Sequence, residues 1–174
     1  GRRDLRPGHD LIALLARGVN LSHWIWLPQA KDAAARGTFV SAQELRDLKA
    51  AGVTHVRLPF EPGTVWDADG HQFKLFGLSE LRGAIALCVD AGLGVTADAP
   101  PTDTNPPWAT VDAAGDSAEL ELFWAALARN LAETDPERVF IEILNEPHNI
   151  KNPGHWPAAQ NRLLAIIRAA APRH

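Results

Sequence analysis

The 174 residues are 46% hydrophobic and 22% charged, with a net charge of −4. That balance supports one packed domain and excludes a disordered chain, and without a basic surplus a nucleic-acid partner is not expected. No apolar run approaches the ~18 residues of a membrane span, and the lone Cys88 permits neither an internal disulfide nor a thiolate cluster.

The chain opens on Gly1 with no signal-peptide pattern, which reads as a processed or partial sequence. Residues 1–15 are expected to be an N-terminal extension. Residues 16–174 are expected to hold four repeats of one unit: an apolar strand, a polar loop, and an amphipathic helix closed by Gly or Pro. The first strand is predicted over Arg17–Ser22. Its helix begins at Ser41, where Ser41-Ala42-Gln43-Glu44 fits a capping box, Ser accepting one orphan N–H and Glu another. Leu45 and Leu48 supply its apolar stripe and Gly52 its stop. The second strand is predicted over Val53–Phe60. Ser79 then opens a helix whose stripe is Leu81, Ile85, Cys88 and Val89, ending at Gly92. The third strand starts at Leu93, and its helix carries Leu120, Phe123, Trp124, Leu127 and Leu131 at i, i+3, i+4 spacing. The fourth strand is "VFIEIL", residues 139–144. A last helix follows, with Pro157 in its first turn and Leu163, Leu164 and Ile167 toward the core.

Alternating strands and helices imply an α/β fold built from βαβ units on a parallel sheet, its strands apolar enough to be covered on both faces. A doubly wound sheet and a (β/α)8 TIM barrel both fit this pattern. No Gly-rich turn follows the first strand, so a dinucleotide fold is poorly supported. Polar residues gather instead at the C-terminal ends of the strands: Asn20, Ser22 and His23; Arg57; Asp98; Asn145 and Glu146. A barrel builds its active site there. Such a barrel takes about 250 residues, so this chain is expected to supply roughly the first four βα units.

The segments "RGVNLSHW", "LKAAGVTHVRLPF", "VFIEILNEPHN" and "LLAIIRAAAPRH" resemble the N-terminal half of glycoside hydrolase family 5, the cellulase-like retaining β-glycosidases. The resemblance runs from about Ala16 to His174, and its strongest motif is Asn-Glu-Pro at the end of the fourth strand. It implies hydrolysis of O-glycosidic bonds in a β-linked polysaccharide. The implied catalytic residues are Glu146 as general acid/base, Asn145 and Arg57. Retaining cleavage needs an acid for the leaving oxygen and a nucleophilic carboxylate about 5–5.5 Å away. The acid must hold its proton, so apolar walls or a neighbouring carboxylate are expected around Glu146. Asn145 has the amide donor to hold a sugar 2-hydroxyl, and Pro147 fixes the turn.

Arg57 lies on a strand expected to be buried and needs a carboxylate there. Glu142 or Asp98 would serve as an ion-pair partner; the resemblance implies instead that Arg57 orients the nucleophile and keeps it ionised. In the family that nucleophile is a Glu ending the seventh strand. Glu61, Asp98, Asp103 and Glu142 lie near strand ends or in them, but none matches that motif. At the third strand, where the family pattern gives Asp, any residue, then His, this chain has Asp98-Ala99-Pro100. A substrate-contacting imidazole is therefore replaced.

Substrate contacts are expected from His23, Trp24, Trp26, Trp108 and His148. Trp66 and Trp156 also lie beside the strand-to-helix loops, where an indole either stacks on a sugar face or packs at the loop base. Trp124 and Cys88 read as core. His148 and His155 are separated by six residues and lack a third ligand, so no metal is expected, and no cofactor. The partner implied is a β-glucan or related polysaccharide or oligosaccharide. The residues themselves assign no compartment; an external polymer as substrate would place the protein outside the cell or in the periplasm. A non-catalytic carbohydrate-binding barrel relative is the alternative, kept open by Pro100. Taken alone, residues 1–174 are expected to associate through edge strands and an apolar inner face.

Overall fold

The computed structural model describes residues 9–29, 32–100, 111, 114–147 and 152–174. Four strands, β1 (Gly18–Asn20), β2 (His55–Pro59), β3 (Gly94–Asp98) and β4 (Val139–Glu142), form one sheet in chain order. Every neighbouring pair is parallel. Parallel neighbours need long crossovers, and helices supply them. The helix α1 (His9–Leu14) precedes β1; α2 (Ala33–Gly37) and α3 (Ala42–Ala50) join β1 to β2; α4 (Pro62–Val65) and α5 (Leu75–Asp90) join β2 to β3. Between β3 and β4 comes α6 (Ala118–Leu131), and α7 (Trp156–Ala170) follows β4. This is the architecture of a (β/α)8 barrel, of which the chain supplies four units.

The core lies between sheet and helices. Val56, Leu58, Val95, Ala97 and Val139 are buried on one face, against Leu45, Leu81, Ile85, Cys88, Leu120, Phe123, Trp124, Leu127, Leu131, Leu163 and Ile167. Each large apolar side chain buried this way contributes about 1.5–3 kcal/mol. The opposite face is built differently. Register aligns Asn20, Arg57, Thr96 and Phe140 in one row and Pro59, Asp98 and Glu142 in the next. Four of these, Arg57, Thr96, Phe140 and Glu142, are only half-buried. The expected apolar inner face is therefore corrected: polar and charged side chains stand among the apolar ones there, and among the described residues the helices pack on the other side of these four strands.

Local signals explain most boundaries. The capping box forms as the sequence predicts: Glu44 N donates to Ser41 Oγ at 3.2 Å and Ser41 N to Glu44 Oε2 at 2.8 Å. Gly52 and Gly92 end α3 and α5 at φ values of 93° and 82°, a region that favours glycine. The start of α5 differs from expectation, at Leu75 rather than Ser79. Here Lys74 N donates to the Val65 carbonyl and Lys74 Nζ to the Gly63 carbonyl, both at 2.8 Å, so the preceding loop launches the helix without a side-chain cap. A Cβ at Gly77 would collide with the Thr64 carbonyl, which lets α4 and α5 touch only at a glycine. An antiparallel pair, Trp66–Asp67 with Gln72–Phe73, adds a hairpin that periodicity missed. Its signal was the turn pair Asp69-Gly70. Part of the N-terminal extension is the helix α1, whose Leu14 packs beneath Gly94 at the start of β3.

Candidate functional site

Arg57 of β2 organises the carboxyl end of the sheet. Its Nε donates to Glu142 Oε2 at 2.7 Å and its Nη2 to Glu142 Oε1 at 2.6 Å, a bidentate fork across two strands. The same Nη2 donates to Asn145 Oδ1 at 2.7 Å, and Nη1 to Asn20 Oδ1 at 3.1 Å. Asp98 Oδ2 sits 3.0 Å from Nη2, yet neither Asp98 oxygen receives an aligned hydrogen bond. Asp98 thus feels the charge of Arg57 without its protons. The bond to Glu142 raises the basicity of the guanidinium against the cost of burial, with the charges of Asp98, Glu142 and Glu146 adding to it. Both ion-pair partners named for Arg57, Glu142 and Asp98, are in place.

Asn145 is held from two sides. Its backbone N–H donates to the Ala99 carbonyl at 3.0 Å, tying the loop after β4 to the end of β3. Because a guanidinium only donates, the Asn145 oxygen must face Arg57, and the amide NH2 is left on the far side. Two residues earlier, Trp124 Nε1 donates to the Ile143 carbonyl at 2.9 Å, so α6 pins the same loop from below. The chain then turns sharply. Glu146 has φ 41°, in the left-handed region. An L residue adopts it at a cost of roughly 1–2 kcal/mol, and such strain collects at functional sites. The Glu146 side chain is exposed. Of the two surroundings expected for it, apolar walls are not built by the described residues, whereas a neighbouring carboxylate, Asp98, and the guanidinium of Arg57 lie close enough to feel its charge.

Asp98 is the buried member of the cluster, 0% exposed. Burial, and then the Glu142 charge, push its carboxyl up to about 7, while Arg57 pulls the other way.

The expected aromatic platforms divide. Trp24 is corrected to a core residue: it is 4% exposed and its indole donates to the Arg36 carbonyl at 3.0 Å. The loop after β1 continues the sheet by one bridge, Ile25 to Phe60, and this turns Trp24 inward. Trp66 is also buried, donating to Glu119 Oε1 at 2.6 Å and packing edge-on against Phe73 and Phe123. Trp26 is half-buried, and Trp156 packs on Val111 and Ala159. His23 is exposed at φ 63°, its Nδ1 3.1 Å from the Leu27 carbonyl, and it shapes the loop after β1. Trp108, His148 and Asp103 lie outside the described residues.

Cys88 is fully buried, and burial pushes its thiol up to about 12, which leaves it inert. Among the described residues no three of His, Cys, Asp and Glu are placed to hold a metal, and no helix is long and apolar enough to cross a membrane. Asn20 and Asp98, noted among the polar strand ends, and Glu142, named as an ion-pair partner, join Arg57 in the cluster, although none was expected to act on the substrate. Their signal was a polar residue closing an otherwise apolar strand, since they are the last residues of β1, β3 and β4.

Residues 17–174 match the family model Cellulase (glycosyl hydrolase family 5). The chain is 24% identical over 165 residues to Cellodextrinase A of Ruminococcus flavefaciens, covering 91% of this chain and 48% of that protein. It is 32% identical over 82 residues to Endoglucanase C of Acetivibrio thermocellus, 47% of this chain and 24% of that one. The alignment to the first of these spans about half its length. Among solved structures, an endoglucanase of Thermotoga maritima aligns with TM-score 0.75 at 21% identity, covering 95% of this chain and 51% of its own. A glycoside hydrolase family 5 enzyme of Prevotella bryantii B14, in complex with a xyloglucan tetradecasaccharide, aligns with TM-score 0.70 at 18% identity, covering 88% and 50%. The family match runs from the residue before β1 to the last residue of the chain: the chain belongs to glycosyl hydrolase family 5.

Proposed function

We propose that this chain carries the acid/base half of a retaining glycosidase site that hydrolyses O-glycosidic bonds in a β-linked polysaccharide of the cellulose type. The hydrogen bond between Arg57 and Asn145 at the carboxyl end of the sheet, with Glu146 next in sequence on a strained turn, carries the reading. Glu146 as the carboxylic acid protonates the leaving oxygen; as the carboxylate it then takes a proton from the water that releases the glycosyl intermediate. The Asn145 NH2 donates to the 2-hydroxyl of the reacting sugar, a bond that strengthens as charge develops. Arg57 has five N–H donors, and the bonds to Glu142, Asn145 and Asn20 leave one on Nη1 unused among the described residues. In this reading it meets the nucleophilic carboxylate, a Glu ending the seventh barrel strand, as the resemblance implies. The nearer carboxylates are committed elsewhere: Glu61 caps α4, Asp98 is buried, and Glu142 is held in the fork of Arg57.

A second reading, a non-catalytic carbohydrate-binding relative, rests on the buried Pro100, which stands where the family pattern has an imidazole. Glu146→Gln in the full-length protein separates the two. It is expected to slow hydrolysis of unactivated β-glucans by roughly 10²–10⁴-fold, and activated aryl glycosides far less, since only the former need the proton. Equal losses on both substrates would remove Glu146 from the acid role. Binding without turnover in the wild type would favour the second reading.

A further inference from the structure

The carboxylates around Arg57 carry more negative charge than one guanidinium balances. Asp98 and Glu142 are register partners at the ends of β3 and β4, so their side chains leave the same face side by side. Both lie against one nitrogen, Arg57 Nη2, at 3.0 Å and 2.6 Å. That nitrogen carries two protons, and Glu142 and Asn145 take them. Asp98 is fully buried and receives a hydrogen bond on neither oxygen. As a carboxylate it would be among the costliest groups a protein interior can hold. As a carboxylic acid it donates its O–H to Glu142, and the repulsion between neighbours becomes a hydrogen bond.

We propose that Asp98 is a positioning residue that works as a neutral acid, donating its proton to Glu142 so that Glu142, Arg57 and Asn145 are held in line beneath Glu146. Among the described residues the charged groups facing Asp98 are Arg57 from β2, Glu142 from β4, and Glu146 from the loop beyond it. With the proton present, Glu142 alone fills the fork of Arg57. When it leaves, Asp98 competes for Nη2 and draws the guanidinium away from the Asn145 oxygen. The direction of the pH effect follows. The unfolded chain releases this proton near the ordinary value of 3.8 and the fold near 7, so the stabilisation is complete below about pH 4 and drains as pH rises through 7. The kinetic consequence rests on the acid/base reading of Glu146; the protonation of Asp98 does not.

The test uses the full-length protein with labelled aspartate carboxyl carbons, followed by NMR. One aspartate is expected to stay protonated at pH 5–6 and to titrate near 7, and Asp98→Asn is expected to remove that signal. Glu142→Gln is expected to lower the midpoint by removing the neighbouring negative charge, and it serves as the second variant where Asp98→Asn does not fold. On β-glucan, Asp98→Asn keeps an N–H donor that cannot ionise, so it is expected to shift the alkaline limb of the kcat/KM profile upward. Asp98→Ala lacks the donor and is expected to fall roughly tenfold below Asp98→Asn. An Asp98 already ionised at pH 5 overturns the proposal, as does an unchanged pH profile in Asp98→Asn or equal rates in the two variants. If the wild type hydrolyses no β-glycan, the reading of Glu146 fails, while the NMR titration still decides the state of Asp98.

Discussion

Arg57 shows how one side chain ties the site to the fold. It reaches from β2 to Glu142 on β4, to Asn145 beyond it and to Asn20 on β1, so three strands and a loop share one planar group. Lysine cannot replace it, because a single ammonium offers neither the fork nor the reach to all three partners. Arg57→Lys is expected to destabilise the protein by about 2 kcal/mol in denaturant unfolding. That lies below the 3–5 kcal/mol of a fully buried pair, because water reaches both partners, with the side chains 29% and 34% exposed. A change under about 0.5 kcal/mol, the size of an ordinary surface substitution, would show that the fork contributes nothing to the fold.

At the scale of an element, α3 and α5 show two ways to start a helix. Ser41 and Glu44 cap α3 reciprocally, a local device that needs nothing from the rest of the chain. Ser41→Ala is expected to cost about 1 kcal/mol of stability, read as a lower unfolding midpoint, with little effect on the site, because α3 lies on the helical side of the sheet. A loss of activity larger than the loss of folded protein would contradict that separation. The helix α5 has no such cap. It starts where the hairpin and α4 hand it the chain, through Lys74 to Val65 and through the close approach at Gly77. Its first turn leaves Leu75 and Phe76 exposed, at 79% and 59%, as a helix does when its position is set by what precedes it.

At the scale of the molecule, four parallel strands in sequence order leave β1 and β4 at the two edges of the sheet. Unpaired strand edges template association. The inner face adds less than its apolar strands suggested, since Asn20, Arg57, Thr96, Asp98 and Glu142 occupy it. Residues 1–174 expressed alone are therefore expected to associate weakly and with concentration, through edges of only three and four residues, and to be inactive on β-glucans. Size-exclusion chromatography across a dilution series and a reducing-sugar assay check both parts. A monomer at all concentrations that turns over substrate would mean that a second carboxylate in this half performs the displacement.

What the sequence determined by itself was whatever depends on near neighbours in the chain. The strand–helix alternation, the stripe from Leu120 to Leu131, the box at Ser41 and the stops at Gly52 and Gly92 are interactions across a few residues, so their spacing is written in the string. The Asn-Glu-Pro motif was legible for the same reason. Tertiary structure decided the rest. Trp24 and Trp66 became core because a loop bridge and a hairpin turned them inward, and no local pattern separates an indole that stacks on a ligand from one that packs. The partners of Arg57 were open between Glu142 and Asp98 until the register of β3 and β4 set both beside it, across 85 residues of chain in the case of Glu142. Only that packing shows that Glu142 and Asn145 accept the two N–H groups of Arg57 Nη2, so that neither oxygen of Asp98 receives a hydrogen bond from it.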